Sequence, residues 1–303
     1  MDVICTNGLC KAYGGKTAVD HLDMHVRQGE IYGFIGRNGS GKSTTLKLLC
    51  GIAAPTGGEV RLFGKPVEDP SARRRLGVLV ETPGIYSDKS GFENMMLKAC
   101  CLGIVKPEAL IGELLTMVGL KPSDRRKTKK YSMGMKQRLG IAMALLGGPD
   151  VLILDEPING LDPEGMSKLR QILLNLNQKK GMTIIVSSHI LGELEKIATC
   201  YGIIKDGRMV REITSEELIQ KCKDYLCVQV DDAKGAAVIL EEQLAIKNYE
   251  VHPDGELRIF DFSESTAVAF ALAEGKIAVK SIYLHRQDLE DYFLELMGGK
   301  DND

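Results

Sequence analysis

The residues best suited to chemistry lie between positions 36 and 44, where the chain reads Gly-Arg-Asn-Gly-Ser-Gly-Lys-Ser-Thr. Two of the glycines bracket four residues and are followed by Lys42 and Ser43, which is the spacing of a phosphate-binding loop. Glycines let the backbone wrap closely around a phosphate chain, so that its N–H groups and the positive end of the next helix face the anion. The sequence therefore predicts a phosphate site in which Lys42 meets the outer phosphates and the Ser43 hydroxyl sits on magnesium.

Such a loop must be positioned by a strand before it and a helix after it, and the sequence predicts both. Residues 31–35 are an apolar run typical of a buried strand, and residues 44–50 have a helical pattern. A glycine-rich turn that fits the spacing by chance is the alternative interpretation. The two flanking elements, in the required order, argue against it.

Polar side chains also follow other apolar runs that read as buried strands: Glu81, Asp155, Glu156 and His189. The carboxyl ends of parallel strands meet at one edge of a sheet, which is where such sheets bind ligands. Two adjacent carboxylates after an apolar strand are costly unless a cation or a reacting water lies nearby. For Glu81 the position alone leaves an exposed loop acid equally open. A lone histidine at a strand end is more often structural, but His189 ends a strand of the same predicted sheet, which favours a functional role.

A second helix start is suited to anions. Ser132 occupies the N-cap position of a helix predicted to continue to residue 146, and Gly134 keeps the backbone accessible. Tyr13 precedes a pair of glycines, and a lone aromatic side chain there is more often turn packing than a ligand contact.

Bulk properties narrow the class of protein. A chain of 303 residues predicts one large domain and one smaller one, and a net charge of −2 gives no reason to expect nucleic-acid binding. The eight cysteines form no Cys-x-x-Cys pair, which favours small reduced core residues of a cytosolic protein over a disulfide framework. No uninterrupted apolar run approaches the ~18 residues of a membrane span. We therefore expect a cytoplasmic chain that reaches a membrane only through a partner.

The pattern changes twice along the chain. Helical spacing over residues 94–102, 107–118 and 123–128 predicts a helical subdomain at about 85–146, with the basic run 125–130 on a solvated helix face. After residue 218 the predicted order is strand, helix, strand, strand, helix, strand, with a final helix over 288–297. Residues 219–303 therefore predict a small α+β, ferredoxin-like accessory domain. It has no catalytic cluster, and we interpret it as a dimerisation or regulatory unit.

Together these motifs resemble the ATP-binding subunit of ABC transporters, over roughly residues 2–215. The resemblance rests on the phosphate loop, the Walker B run 151–155, Glu156 and the order of the remaining motifs. Those are the signature Ser-Met-Gly-Met-Lys-Gln-Arg over 132–138, Gly-Leu-Asp over 160–162, and Ser-His at 188–189. The signature is the most discriminating part, because other phosphate-loop enzymes lack it. The implied fold is an α/β P-loop NTPase core over residues 1–218, with an antiparallel β subdomain and a helical subdomain.

The family's site roles fall on matching positions. Tyr13 would stack on adenine, which now favours ligand contact over turn packing. Glu156 would polarise the attacking water, and His189 would contact the terminal phosphate. The phosphates would be held by Asn38, Gly39, Ser40, Gly41, Lys42, Ser43 and Thr44. Mg²⁺ would be held by Ser43, by Asp155 through water, and by Glu81. Ser132 and Gly134 would close over the ATP of a second copy, with Asp162 at the junction, which implies an ATP-dependent homodimer.

Two departures from the family pattern affect this interpretation. Glu81 stands where the family normally has glutamine, and it adds negative charge beside the phosphates. The usual Leu-Ser-Gly-Gly-Gln signature is Tyr-Ser-Met-Gly-Met over 131–135. Because the hydroxyl and the second glycine survive, we expect hydrolysis to be retained. Both variants look like the bacitracin and lantibiotic (peptide antibiotic) immunity type of the family.

The function implied by the resemblance is an ATPase that powers a separately encoded membrane permease, docked through residues 85–130 on the inner face of the cell membrane. The implied cargo is a peptide antibiotic or a similar hydrophobic compound. One alternative is a soluble ABC ATPase that acts on ribosomes or DNA without a permease. Another is a binding module that closes on ATP without hydrolysing it.

Overall fold

The computed structural model describes residues 1–221, 224–260, 264–285, 292, 293 and 296. The chain divides into two compact units, Met1–Ser215 and Glu216–Asp303. The strands of the first unit are β1 (Asp2–Tyr13), β2 (Lys16–Arg27), β3 (Ile31–Ile35), β4 (Gly57–Leu62), β5 (Lys65–Pro66), β6 (Leu76–Leu79), β7 (Val151–Leu154), β8 (Thr183–Ser188), β9 (Cys200–Lys205) and β10 (Arg208–Thr214). Its helices are α1 (Lys42–Leu49), α2 (Pro70–Arg73), α3 (Gly91–Cys101), α4 (Glu108–Met117), α5 (Met133–Leu145), α6 (Pro163–Lys180) and α7 (Leu191–Leu194).

The main sheet has the order β10-β9-β3-β8-β7-β6. Its central strands pair in parallel, whereas β10 pairs antiparallel with β9 at one edge. Strands β3, β7 and β8 are buried throughout, as continuous apolar strands are when both faces of a parallel sheet are covered. The carboxyl ends of β3, β6, β7 and β8 therefore share one edge of the sheet. The prediction that the segments after these strands meet there is confirmed.

A second sheet is antiparallel, in the order β2-β1-β4-β5. Strands β1 and β2 are longer than the predicted 2–11 and 21–27, because they run up to a tight turn at Gly14 and Gly15. Both glycines have positive φ, 53° and 86°, as the favoured two-residue hairpin turn requires. Tyr13 therefore lies at the end of a strand, directly before the turn.

The helical subdomain consists of α3, α4 and α5, which pack against one another. Helix α3 begins with a capping box, in which the Ser90 hydroxyl accepts from the Glu93 N–H and the Glu93 carboxylate accepts from the Ser90 N–H. None of the helices that the structure describes is both long enough and apolar enough to cross a bilayer.

The predicted helix over residues 123–128 is wrong. Residues 124–127 have no regular helical structure, and only Thr128–Lys130 is helical, as a 3₁₀ helix. The reason is local, because the Asp124 carboxylate accepts from the N–H of Arg126 at 2.9 Å and offers the backbone an alternative to a helix. The buried Thr128 hydroxyl then donates to the Tyr86 carbonyl at 2.8 Å. The basic run therefore starts outside any helix, over 125–127, and ends in the 3₁₀ helix Thr128–Lys130, so it does not follow the face of an α-helix.

The described cysteines are free thiols. Cys50, Cys200 and Cys227 are buried, as predicted for small core residues. Cys100 and Cys101 are exposed at the end of α3, so the prediction of a core position is wrong for these two.

The second unit contains α8 (Ser215–Lys221), which begins at its boundary, β11 (Tyr225–Val230), α9 (Ala233–Glu242), β12 (Tyr249–Val251), β13 (Glu256–Ile259), α10 (Ser265–Glu274) and β14 (Val279–His285). Its sheet is antiparallel, in the order β12-β13-β11-β14. Apolar residues of α9 and α10 form one core with those of the sheet. The ferredoxin-like assignment stays a prediction, and most of the predicted final helix over 288–297 falls outside the described residues.

Candidate active site

The phosphate loop leaves β3 at Gly36 and enters α1 at Gly41. A Cβ on Gly41 would lie 2.5 Å from the Ala18 carbonyl oxygen, and its φ of 108° also favours glycine. A Cβ on Gly36 would lie 2.7 Å from the Ile204 carbonyl oxygen. Both positions therefore require glycine, which lets the loop pack against neighbouring backbone while α1 begins at Lys42.

The tip of the loop is open, whereas its base is buried. Asn38 and Gly39 are exposed, Ser43 and Thr44 are half-buried on the first turn of α1, and Ser40 is buried. Among the described residues the Ser40 hydroxyl has no hydrogen-bond partner. Because buried hydroxyls are almost always paired, an unpaired one at this position indicates that a ligand in the loop is its hydrogen-bond partner.

Lys42 is folded over the loop and is only 6% exposed. Its ammonium group donates to the carbonyl oxygen of Gly36 at 2.7 Å and to that of Arg37 at 3.3 Å. It also lies 3.4 Å from Glu156 Oε1. The charge of this buried cation is thus balanced by a carboxylate that follows β7, two strands away from β3 in the sheet.

Glu156 stands between the lysine and the histidine. Its Oε2 lies 2.8 Å from His189 Nδ1, so the two carboxylate oxygens face different partners. Its φ of 47° is uncommon for a residue other than glycine, and such strain is found often at functional sites. The structure therefore brings together Lys42, Glu156 and His189, as the sequence predicts.

Asp155, directly after β7, is 7% exposed. Its Oδ1 accepts a hydrogen bond from the Ser187 hydroxyl at 2.6 Å. The same hydroxyl oxygen accepts from the Glu156 N–H at 2.9 Å. One side chain of β8 thus positions both acidic residues.

Sequence reasoning missed Ser187, which directly precedes the Ser-His motif at 188–189. The available signal was a serine directly after the apolar run 184–186 of a predicted buried strand, a position that the structure shows to be fully buried. A buried hydroxyl needs a partner, and the neighbouring predicted strand offered two carboxylates.

Glu81 follows β6 with a φ of 65°, and its side chain is 62% exposed. It pairs with Lys47 of α1, another residue that sequence reasoning missed, and this hydrogen bond raises the pKa of Lys47. Glu81, Asp155 and Glu156 line one cavity of about 520 Å³. Glu81 therefore reaches the rim of the acidic site, but its partner there is Lys47.

The remaining predicted site residues lie on other elements. Tyr13 is 50% exposed, and Lys11 Nζ lies 4.8 Å from its ring centroid. Ser132 caps α5 by accepting from the Met135 N–H at 3.2 Å. Asp162 caps α6 by accepting from the Gly165 N–H at 3.3 Å.

The beginnings of α5 and α6 lie side by side. A Cβ on Gly134 would meet Leu161 at 3.6 Å, and one on Gly160 would meet Met133 at 3.2 Å. The signature residues and the 160–162 loop therefore form a second group, with Ser132 and Asp162 both exposed.

Comparison with known proteins identifies the family. The ABC transporter family profile matches residues 19–159. The bacitracin transport ATP-binding protein BcrA of Bacillus licheniformis is 42% identical over 300 residues, covering 98% of each chain. The lantibiotic transport ATP-binding protein SrtF of Streptococcus pyogenes is 42% identical over 204 residues, covering 67% of this chain and 87% of that protein.

Similar solved structures belong to the same family. A dimeric ATP-binding cassette in a post-hydrolysis state, bound to ADP and Pi, has a TM-score of 0.62 at 25% identity and covers 70% of this chain and 98% of that one. The ATP-binding subunit of an ABC transporter has a TM-score of 0.64 at 29% identity, covering 72% and 92%. The relatives are named for transport, which does not favour the ribosome- or DNA-linked alternative. This chain belongs to the ABC transporter family, as one of its ATP-binding and ATP-hydrolysing subunits.

Proposed function

We propose that this subunit binds MgATP, hydrolyses it between two copies of the chain, and powers a separate membrane permease that removes a peptide antibiotic. The observation that carries the hydrolytic part is the position of Glu156, 3.4 Å from Lys42 and 2.8 Å from His189. A carboxylate there is within reach of both the cation for the outer phosphates and an imidazole.

Catalysis of phosphoryl transfer consists mainly of positioning the reactants and neutralising charge, and different residues of this chain have these roles. Lys42 leaves Glu156 for the outer phosphates of ATP, whose inner phosphates lie against the N–H groups of residues 38–44. Glu156 then accepts a hydrogen bond from the attacking water, and His189 contacts the terminal phosphate. Tyr13, half-exposed at the end of β1, stacks on the adenine.

The donor set also fits magnesium. The half-buried Ser43 hydroxyl and the buried Asp155 carboxylate are oxygen ligands of the kind that Mg²⁺ takes. When bound, Mg²⁺ neutralises phosphate charge. The Glu81 carboxylate, at the rim of the cavity, offers a further oxygen ligand. It can bind the ion once its ion pair with Lys47 is broken.

A second copy is proposed to supply the other wall of the site. Ser132, Gly134 and Asp162 form a group at the starts of α5 and α6, where N–H groups and the positive helix end favour an anion. A solved relative of this fold is a dimer bound to ADP and Pi, which supports the proposal that this chain also dimerises.

The permease is proposed to dock on the helical subdomain, which brings the subunit to the inner face of the membrane. A groove of about 670 Å³ lies between β6, α3 and α5. Tyr86, Leu97 and Leu102 line it and are 61%, 41% and 47% exposed. Such a cluster of exposed apolar side chains is typical of an interaction site. The names of BcrA and SrtF support a peptide antibiotic as the cargo.

Steady-state phosphate release tests the hydrolytic proposal. Glu156→Gln keeps the size of the side chain but removes its charge, and we expect it to abolish phosphate release while ATP binding is retained. Glu164→Gln is the matched control, because Glu164 is an exposed acid of α6 whose ion pair is with Lys168 of the same helix. An active Glu156→Gln chain would overturn the proposed role.

Growth in bacitracin tests the cargo. Cells that carry this subunit with its permease are expected to tolerate a higher concentration than cells with Glu156→Gln. Equal tolerance, with phosphate release intact in the wild type, would exclude bacitracin as the cargo but leave the ATPase assignment in place.

A further inference from the structure

A cysteine, an aspartate and a histidine converge on the hairpin of β1 and β2. Cys10 lies on β1, whereas Asp20 and His21 are consecutive on β2. One ligand atom from each, the Cys10 sulfur, an Asp20 carboxylate oxygen and a His21 ring nitrogen, lies within 4.8 Å of the other two. Within the described part of the chain, this is the one group of at least three such side chains packed this closely.

We propose that Cys10, Asp20 and His21 bind a divalent transition metal of the zinc class, with water in the fourth position. Thiolate, imidazole and carboxylate are the donors of Zn²⁺, and bonds of about 2.0–2.3 Å in a tetrahedron separate donor atoms by about 3.5 Å. Asp20 Oδ1 and His21 Nδ1 now lie 2.6 Å apart, so they must separate by about 1 Å. The His21 side chain is 77% exposed and has room to move.

The surroundings of Asp20 suit a metal ligand. Arg208 donates from Nε to Asp20 Oδ2 at 2.7 Å, which leaves Oδ1 for the ion. Hydrogen-bonded partners of this kind orient the carboxylates that bind metals.

The hydrogen bonds of Cys10 are compatible with a metal-bound thiolate. The Cys10 sulfur accepts from the His21 N–H at 3.3 Å, and a thiolate keeps this bond. The thiol donates to the Gly8 carbonyl at 3.4 Å, and this single weak bond is lost when the ion displaces the proton. His21 has a φ of 48°, in a region where histidine is enriched among non-glycine residues.

The site is joined to the phosphate loop through backbone hydrogen bonds. The Asp20 N–H donates to the Gly207 carbonyl at 2.9 Å, and the Gly207 N–H donates to the Ser40 carbonyl at 2.9 Å. A metal ion that ties Cys10 to Asp20 therefore stiffens the support of the loop and changes the KM for ATP. This consequence rests on the proposed nucleotide site, whereas metal binding itself does not.

Cobalt titration of the nucleotide-free full chain, without a histidine tag, tests the site. We expect one equivalent of Co²⁺ to produce a near-ultraviolet thiolate-to-cobalt charge-transfer band that Zn²⁺ abolishes. Cys10→Ser should lose the band. His21→Asn, which keeps a residue that tolerates positive φ, should weaken cobalt binding at least tenfold.

Cys5→Ser is the matched control. Cys5 is also half-buried on β1 and also faces a histidine across the hairpin, since it pairs with His25. This variant should keep the band. Thermal unfolding of each variant without metal checks that its fold is intact.

A wild-type chain without the band, or a band that survives in a folded Cys10→Ser variant, would overturn the metal site. Because the band is read without nucleotide, a failure of ATP hydrolysis does not affect this result. A KM for ATP that zinc leaves unchanged in the wild type would overturn only the link to the phosphate loop.

Discussion

Replacing Ser187 by alanine removes the single hydroxyl that holds both acidic residues of the site. In the wild type it donates to Asp155 Oδ1 at 2.6 Å and accepts from the Glu156 N–H at 2.9 Å, and Ser187 is completely buried. Alanine fits the same space, so the change subtracts two hydrogen bonds without overpacking. We expect the chain to fold with a loosened pair of carboxylates.

The magnitude follows from these two bonds. A hydrogen bond to a charged group contributes about 1.5–3 kcal/mol, and a buried N–H left without an acceptor costs about 1–3 kcal/mol. Together these contributions predict that the free energy of unfolding falls by about 2.5–6 kcal/mol. Loss of an outer partner of a metal-binding carboxylate typically costs about 10–100-fold in metal affinity or activity. The Mg²⁺ concentration for half-maximal hydrolysis should rise by about that factor.

Urea unfolding measures the first effect, and phosphate release across a Mg²⁺ titration at saturating ATP measures the second. Ser188→Ala is the matched control on the same strand, because the Ser188 hydroxyl accepts from the Ile190 N–H at 2.9 Å and bonds to neither carboxylate in the described contacts. A Ser187→Ala chain with the stability and Mg²⁺ dependence of the wild type would refute the reasoning.

Three further changes have expected outcomes. Glu81→Gln breaks an exposed pair with Lys47, so the free energy of unfolding in urea should change by less than about 1 kcal/mol while phosphate release continues. Gly36→Ala places a Cβ 2.7 Å from a backbone oxygen and should weaken ATP binding, measured by fluorescent-nucleotide titration, at least tenfold. The hydrogen bond from the Ser90 N–H lowers the pKa of Glu93 in the folded chain. The Glu93 carboxylate therefore stabilises the fold above its unfolded-state pKa of about 4.3, and this stabilisation is lost as the pH falls through the pKa of the folded chain. The stability advantage of the wild type over Glu93→Gln in urea should therefore shrink between about pH 6 and about pH 3.

The sequence was sufficient to predict which backbone segments meet at the site. Buried apolar runs identify parallel strands, and the polar residues after such strands must share an edge. That rule brings together Lys42, Asp155, Glu156 and His189 without knowledge of any side-chain contact. The rule concerns the backbone, and it says nothing about which atoms pair.

The sequence did not determine which individual side chains pair, although for Ser187 it offered two candidate partners. The bond from Ser187 to Asp155 joins residues on different strands, and the partner of Glu81 is set by where α1 packs. The wrong helix over 123–128 has the opposite cause. There a short-range bond, from the Asp124 carboxylate to the Arg126 N–H, competes with helix formation at a place where residue spacing alone suggests a helix.

The ion pair of Lys42 and Glu156 also determines whether Glu156→Gln strengthens or weakens ATP binding. In the nucleotide-free chain each neutralises the other at 3.4 Å, so ATP must separate them before Lys42 can meet a phosphate. Once separated, the Glu156 carboxylate lies near a phosphate of the same charge and repels it. A neutral glutamine forms no ion pair that ATP must break and does not repel the phosphate. Glu156→Gln should therefore bind ATP more tightly than the wild type in an equilibrium titration. Weaker binding would mean that Lys42 stays with Glu156 when ATP is present, and the proposed exchange of partners would be wrong.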